Sequence, residues 1–594
     1  MSPQYLPKPP SDEQKAVLAS TARITVVRAC PGAGKTEVFV EAIRQRLARW
    51  QDRGGGLAAL SFTNIARETI ESRVCGNIQP PHFVGTLDSF VFRFIVKPFG
   101  HLVGLPAGSV RLIPAAVSDH LEEPSIPVGH ENHERASMFS VHFCGIVGRS
   151  PSISARIPKI GKFDVPTDLA ADVLKRKQNY WKGTGIVTHS DCHFLASCIL
   201  HHKEHSVRVR ELIARRFPVI FIDELQDTGC FLGRAFIALF AEERVSGIVV
   251  GDPNQAIYGF GGASPSIFDD FEKLPGAVPL SLTTSQRCPK VVAQIATALC
   301  ASGAHVAALP SAENGNATIL VHNLDEPRFN PLQAQHVRSL LKGVSLAVIA
   351  RKSSTVRMLK GEHIRDEFKG KSKSARRINL AVQHLLNGEP RDAAQLIERE
   401  LFRVVMDDEC ASSQALDDKG ITKAKWRAAI FSVLTSAVAS VKGETWNQWV
   451  ERVKAAVAKA ATSVGWIEDS AALRSYMKSK ADGETLRETL LDVGVSPLWN
   501  GTKVTTIHKV KGAEFDTVVL FTAKPHKSHA PCPSIEWWSD ANGGEERRIA
   551  FVAVSRAKQR LVICVHTSTF DALKKLKPDF LKCFQEIIAL PSTK

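Results

Sequence analysis

Lys35 and Thr36 follow Gly32 and Gly34 in the run TVVRACPGAGKTEVFVEAI, and Asp223 and Glu224 lie in the run VIFIDELQD. Those residue types at those spacings suit a polyphosphate. Glycines at 32 and 34 let a turn aim its backbone N–H groups inward, at a helix N-terminus whose dipole favours anions. Lys35 then reaches the β and γ phosphates, and Thr36 ligates Mg²⁺. An apolar run before two acids places both carboxylates at the C-terminal end of a strand, in the crevice where α/β sheets bind ligands. Asp223 is the expected Mg²⁺ ligand, through water, and Glu224 the expected base that orients an attacking water. The plainer alternatives are a chance GKT and two acids that only cap a strand. Ala29 stands where GxxxxGK[ST] has its first glycine, so the generic pattern fails by one residue.

A third segment, GDPNQAIYGFGGA at 251–263, sets an acid and an amide beside two rings, Tyr258 and Phe260. Acid and amide suit a phosphate or a metal ion. The rings suit a nucleic-acid base or a core.

Positioning such groups takes parallel sheets. Short β-rich apolar runs alternate with helical patterns in two regions, as in α/β folds. RITVVRA, GLAALSFT, FPVIFIDE and SGIVVGD mark the first region; NATILVHNL, SLAVIAR, KVTTIH, DTVVLFTA and RLVICVH mark the second. Residues 93–205 interrupt the first region and 365–500 the second. The second interruption has almost no strand signal and carries amphipathic helical patterns such as TWNQWVERVKAAVAKAAT. The expectation is an α/β protein of two parallel-sheet domains with mostly helical insertions, without internal repeats.

Bulk properties narrow the partner. Lys and Arg number 76 against 60 Asp and Glu, a formal charge of +16 that fits a polyanion such as nucleic acid or a merely soluble basic protein. The N-terminus has no apolar leader and no apolar run reaches spanning length, so no membrane partner is expected. The 12 cysteines are scattered without a CxxC, as for reduced thiols in a cytoplasm. THSDCHFLASCILHHKEH at 188–205 is rich in His and Cys, yet it lacks paired zinc-ligand spacing. It reads better as a helix capped by Ser190 or Asp191, with Phe194, Leu195, Cys198 and Ile199 buried. The basic run KGKSKSARR at 369–377 reads as a solvated linker or a phosphate contact.

Seven segments occur in order: ACPGAGKT, LSFTNIARETI, GTLDSF, FIDELQDT, GDPNQAIYGFGGA, VTTIHKVKGAEFDTVVL and EERRIAFVAVSRAKQRL. Together they resemble the motor motifs of UvrD/Rep-type superfamily 1 DNA helicases. The resemblance implies two RecA-like domains, 1A (1–92 and 206–285) and 2A (286–364 and 501–594). Insertion 1B (93–205) and helical insertion 2B (365–500) interrupt them. ATP and Mg²⁺ are the implied cofactors, bound at the loop Pro31, Gly32, Ala33, Gly34, Lys35 and Thr36, with Gln14 reading adenine and Glu514 touching ribose. Gln255 is similar to the amide that senses the γ-phosphate, and Arg287 and Arg556 to the arginines that complete the site from the second domain. For DNA, Phe62, Tyr258 and Phe260 resemble base-stacking rings, with core packing as the alternative for each; Thr63, Asn64 and Thr506 resemble backbone contacts.

Four positions depart from the family. Ser285-Gln286-Arg287 replaces Asn-Tyr-Arg, which removes the ring that stacks on adenine. Asp88 replaces a His, and Gly261 replaces an Arg beside the stacking ring. The implied activity is ATP-driven 3′→5′ translocation on single-stranded DNA with unwinding of tailed duplex, in DNA repair or anti-phage defence. The alternative is a nucleotide-gated DNA-end sensor that signals to a nuclease partner, as in Gabija-type systems. An RNA helicase is the weaker reading, because nothing identifies a 2′-OH reader.

Overall fold

The structure is a computed structural model. It describes residues 9–52, 54–74, 78–113, 125–131, 134–147, 150–157, 161–259, 262–300, 304–324, 331–359, 373–386, 390–406, 416, 420–439, 443–465, 502–524 and 544–590. The chain forms two units. One takes Met1–Glu326, Ser339–Lys352 and Thr505–Lys594; the other takes Pro327–Arg338 and Ser353–Val504.

In the first unit, six parallel strands run in the order Ala277–Leu282, Ile24–Ala29, Ser246–Gly251, Val219–Ile222, Leu57–Ser61, Phe83–Thr86. Leu57–Ser61 and Val219–Ile222 are buried along their whole length, which is why they read as unbroken apolar runs rather than alternating ones. Ile24–Ala29, Ser246–Gly251 and Val219–Ile222 are consecutive in the sheet but far apart in sequence. Their C-terminal ends bring the Cys30–Lys35 turn, Asp252 and Asp223 to one edge.

A second six-stranded sheet has the order Thr502–Thr506, Leu346–Ala350, Phe515–Phe521, Ala557–His566, Asn316–His322, Glu586–Ala589. Of Thr502–Thr506, only Thr505 and Thr506 belong to the first unit. One apolar core joins the two sheets, running from Val27 and Phe221 to Ile319 and Val518.

Residues 93–205 add a feature that periodicity did not reveal. Besides helices Ala170–Thr184 and His189–Leu200, they hold an antiparallel sheet of Val141–Val147, Ser150–Ile157 and Gly161–Asp164. These strands are rich in Ser and Gly, and that weakens the alternation a strand normally shows. The His/Cys segment is the helix His189–Leu200, with Phe194, Leu195 and Ile199 buried and Cys198 half-buried. Its N-cap is Thr188, not Ser190 or Asp191; Asp191 completes a capping box with Thr188 instead. Among the described residues no group of three or more His, Cys, Asp or Glu is arranged to hold a metal ion. No helix of the described residues is long and apolar enough to cross a membrane.

The second unit carries helices Lys373–Leu386, Pro390–Met406, Lys423–Val438 and Trp446–Ser463, packed on Ile397, Val433, Trp446 and Trp449. Of the basic run, 369–372 lie outside the described residues, and Arg377 pairs with Glu400 at 2.8 Å.

Candidate functional site

The glycine-rich turn is held by its own carbonyls. Pro31 O accepts from Ser285 Oγ (2.7 Å), Gly32 O from Gln286 N (2.9 Å) and Ala33 O from Gln14 Nε2 (2.9 Å). With three successive carbonyls engaged outside the turn, the amides of Gly32, Gly34, Lys35 and Thr36 remain for an anion at the start of helix Lys35–Ala48. Gly32 has φ 75°, and a Cβ there would stand 2.5 Å from Arg287 Cβ. Its lack of a side chain therefore serves both the turn and the close approach of Ser285 and Arg287.

Around this turn lies a charge cluster in which Asp223 and Asp252 are buried and Lys35 and Glu224 half-buried. Lys35 Nζ is 3.6 Å from Glu224 Oε2. Burial works against the Lys35 charge, but Glu224, Asp252 and Asp223 outweigh it and hold the ammonium above its ordinary value. Burial, and then the Glu224 charge, push the Asp223 carboxyl up. Burial opposes the Glu224 charge too, yet Lys35 and Lys511 keep it below the usual carboxylate range. Glu224 sits at φ 57°, a left-handed conformation uncommon for a non-glycine residue and often found where function fixes the backbone. Donor chemistry and placement fit a magnesium nucleotide: an amide nest, one lysine, the Thr36 hydroxyl and clustered carboxylates at one sheet edge.

Residues from the two sheets meet through one amide. Gln255 Nε2 donates to Asp252 Oδ2 at 2.8 Å, and Gln255 Oε1 accepts from Arg556 Nη2 at 3.1 Å. Arg556 is buried, and its Nε and Nη1 donate to Val552 O and Ala513 O. Burial, with Arg287 nearby, pushes its guanidinium down to about 9. Arg287 Nε pairs with Glu514 Oε2 at 2.7 Å, so the two residues expected at phosphate and ribose hold each other. Gln14 is also engaged at both ends of its amide, since its Oε1 accepts from Ser11 N within a capping box.

On the other side of the same segment, the Phe62 and Tyr258 rings stack with centroids 5.6 Å apart and planes 26° apart. A base between them needs about 7 Å, twice a ~3.5 Å carbon contact, so the pair must open or offer an outer face. Thr63 and Asn64 are exposed beside Phe62, and Thr506 is half-buried before the turn Ile507–Val510. Phe260 and Gly261 lie outside the described residues. Asp88 does not present a bare charge: His189 Nδ1 lies 3.0 Å and His193 Nε2 2.5 Å from its carboxylate.

Lys511 and Gln226, which no sequence motif above singles out, complete this arrangement together with Ser285. Lys511 Nζ donates to both Asp227 oxygens at 2.6 Å and to Gln255 O at 2.8 Å, and lies 4.9 Å from the Tyr258 ring centroid. Gln226 donates to Glu224 Oε2 (2.5 Å) and accepts from Asp252 N (2.9 Å), tying the two acidic turns together. Ser285 Oγ, besides donating to Pro31 O, accepts from Cys288 N at 3.1 Å. The sequence signal for Lys511 is its place in KVKGAEF, three residues before Glu514.

Residues 11–275 match the UvrD/REP helicase N-terminal domain, and residues 485–568 match the UvrD-like helicase C-terminal domain. The chain belongs to the UvrD/Rep helicase family. It is 26% identical over 270 residues to the Gabija protein GajB of Bacillus cereus, covering 44% of each chain. It is 25% identical over 313 residues to DNA helicase II of Salmonella typhimurium, covering 50% of this chain and 41% of that one. These two matches therefore span less than half of each relative. A longer and weaker likeness, 21% over 619 residues, joins it to the ATP-dependent DNA helicase PcrA of Staphylococcus aureus, covering 94% of this chain and 83% of the other. Against the UvrD/Rep pattern, Ser285 holds the glycine-rich turn, and Gln286 bonds that turn through its backbone N–H, without the family's ring.

Proposed function

We propose that this UvrD/Rep-family protein is an ATP-driven translocase that moves 3′→5′ on single-stranded DNA and unwinds tailed duplex. In this reading 1–92 with 206–285 and 286–364 with 501–594 are the two motor domains. The carrying observation is the Asp252–Gln255–Arg556 chain, which joins groups from both sheets on the segment that also presents Tyr258 to Phe62.

Lys35 and the turn amides bind and orient the phosphates, with Arg287 and Arg556 as the cations from the second motor domain. Mg²⁺, held by Thr36 and Asp223, would supply positive charge to the phosphate oxygens. Glu224, kept ionised by Lys35 and Lys511, accepts the proton of the attacking water at its carboxylate. Gln255 senses the phosphate at its side chain and passes the change to Tyr258, three residues on. With Gln286 in place of the ring and Gln14 bonded within the protein, discrimination between ATP and other nucleoside triphosphates is expected to be weak.

A second reading, a DNA-end sensor that signals to a nuclease partner in anti-phage defence, is favoured by the match to the Gabija protein GajB. It calls for DNA-stimulated hydrolysis without strand displacement. Glu224→Gln tests the chemistry that both readings share. Turnover should vanish while nucleotide and single-stranded DNA binding persist; hydrolysis at the wild-type rate would remove Glu224 as the base.

A further inference from the structure

The run Glu545-Glu546-Arg547-Arg548 opens the helix Glu545–Val554, and each of its side chains has a separate anchor. Glu546 takes Arg351 in a bidentate pair, with Nη2 on Oε1 at 2.6 Å and Nε on Oε2 at 3.1 Å. Arg547 donates to Leu299 O (3.1 Å) and Ala298 O (2.9 Å) at the end of helix Lys290–Leu299. Those two fix the helix to the body of its own domain. Glu545 and Arg548, three residues apart and so on one helix face, point elsewhere. Glu545 Oε1 accepts from Gly259 N at 2.8 Å, and Arg548 Nε donates to Ala256 O at 2.7 Å.

Those two bonds bracket Ile257 and Tyr258. A Cβ at residue 259 would stand 2.9 Å from Glu545 Oε2, so glycine there is what lets the carboxylate reach the backbone. Just past the far end of the same helix is Arg556, which meets the Gln255 side chain. Ten residues of helix span about 15 Å. One rigid element thus touches the segment at its phosphate-sensing end through Arg556 and at its ring end through Glu545.

We propose that Glu545 is a positioning residue which, with Arg548, fixes the backbone of 256–259 to this helix, so that the Tyr258 ring follows any movement of Arg556. The assignment rests on the motor reading above, in which this segment joins a nucleotide site to a DNA site. It concerns the side-chain oxygen that accepts from the Gly259 N–H and not the charge. Glutamine, whose amide oxygen can also accept, should therefore replace glutamate, and alanine should not.

The test uses the full chain as wild type, E545A, E545Q and Gly259→Ala. Amide hydrogen exchange of the 256–259 segment reads the clamp without any activity. Affinity for oligo-dT, with and without a non-hydrolysable ATP analogue, reads the coupling. Losing a hydrogen bond to a charged acceptor should speed exchange in E545A by about tenfold or more. The nucleotide-dependent change in oligo-dT affinity should disappear in E545A and persist in E545Q. Should E545A fail to fold, Gly259→Ala, which pushes the carboxylate away, should give the same two results. Wild-type exchange and coupling in E545A, or equal damage in E545Q, overturns the proposal. Faster exchange in E545A, in a protein whose DNA binding ignores nucleotide, supports the clamp and sinks the motor reading.

Discussion

Replacing Lys511 with methionine removes a cation that three oxygens share: both Asp227 oxygens at 2.6 Å and Gln255 O at 2.8 Å. Lys511 is 9% exposed and Asp227 2%, so the pair is screened little by water. Breaking such a pair from one side costs about 3–5 kcal/mol, because the remaining charge stays buried without a partner. Replacing both partners with neutral groups of similar size costs far less, since no charge is then stranded. Thermal unfolding of K511M, Asp227→Asn and the double variant therefore forms a cycle. K511M should melt several degrees below wild type, and the double variant should recover most of that loss. A second readout follows from the Gln255 carbonyl. Without Lys511 the segment loses one anchor, and DNA-stimulated ATP hydrolysis should fall about tenfold, equivalent to about 1.4 kcal/mol at the barrier. A K511M protein that melts with wild type and keeps full DNA stimulation would refute this reasoning. So would a double variant no more stable than K511M.

At φ 75° and 2.5 Å from Arg287 Cβ, a methyl group on Gly32 has no room, so Gly32→Ala should abolish nucleotide binding; titration with a fluorescent nucleotide showing wild-type affinity would contradict the packing described. Phe62→Ala should weaken single-stranded DNA binding by about 1–3 kcal/mol by anisotropy, and an unchanged affinity would leave that ring a packing role only. Burial lowers His189, but its bond to Asp88 outweighs this and raises it above its ordinary value, while Asp88 lies below its own against the pull of burial. The raised histidine adds stability that is complete below about pH 6.5 and is lost as pH rises through its folded value. The lowered carboxyl adds stability that is complete above about pH 3.9 and is lost as pH falls through its folded value. The melting-temperature gap between wild type and Asp88→Asn should accordingly be wider near pH 5.5 than near pH 9, with His193 facing the same carboxylate; an equal gap at both would refute the pairing.

The sequence exposed those parts of the site that are local. Gly32 to Thr36 and Asp223–Glu224 are contiguous motifs with a strand before them, and the fold delivers them to one sheet edge. Gln255 and Arg556 were marked only by resemblance, and they meet across 301 residues. What stayed hidden depends on long-range pairing that no periodicity encodes. Lys511 finds Asp227 across 284 residues, and Glu545 finds Gly259 across 286. Asp88 reads as a bare acid until the helix His189–Leu200 folds two imidazoles onto it. The small antiparallel sheet at 141–164 was masked by its Ser and Gly content, whereas the helices of the second unit announced themselves through apolar spacing.

The central claim is directional movement driven by nucleotide, and strand displacement on 3′-tailed and 5′-tailed duplexes tests it most directly, with Lys35→Ala as the inactive control. Displacement of the 3′-tailed substrate alone, dependent on ATP and absent in Lys35→Ala, is the predicted result. Displacement of the 5′-tailed substrate, or DNA-stimulated hydrolysis with neither duplex opened, would contradict it.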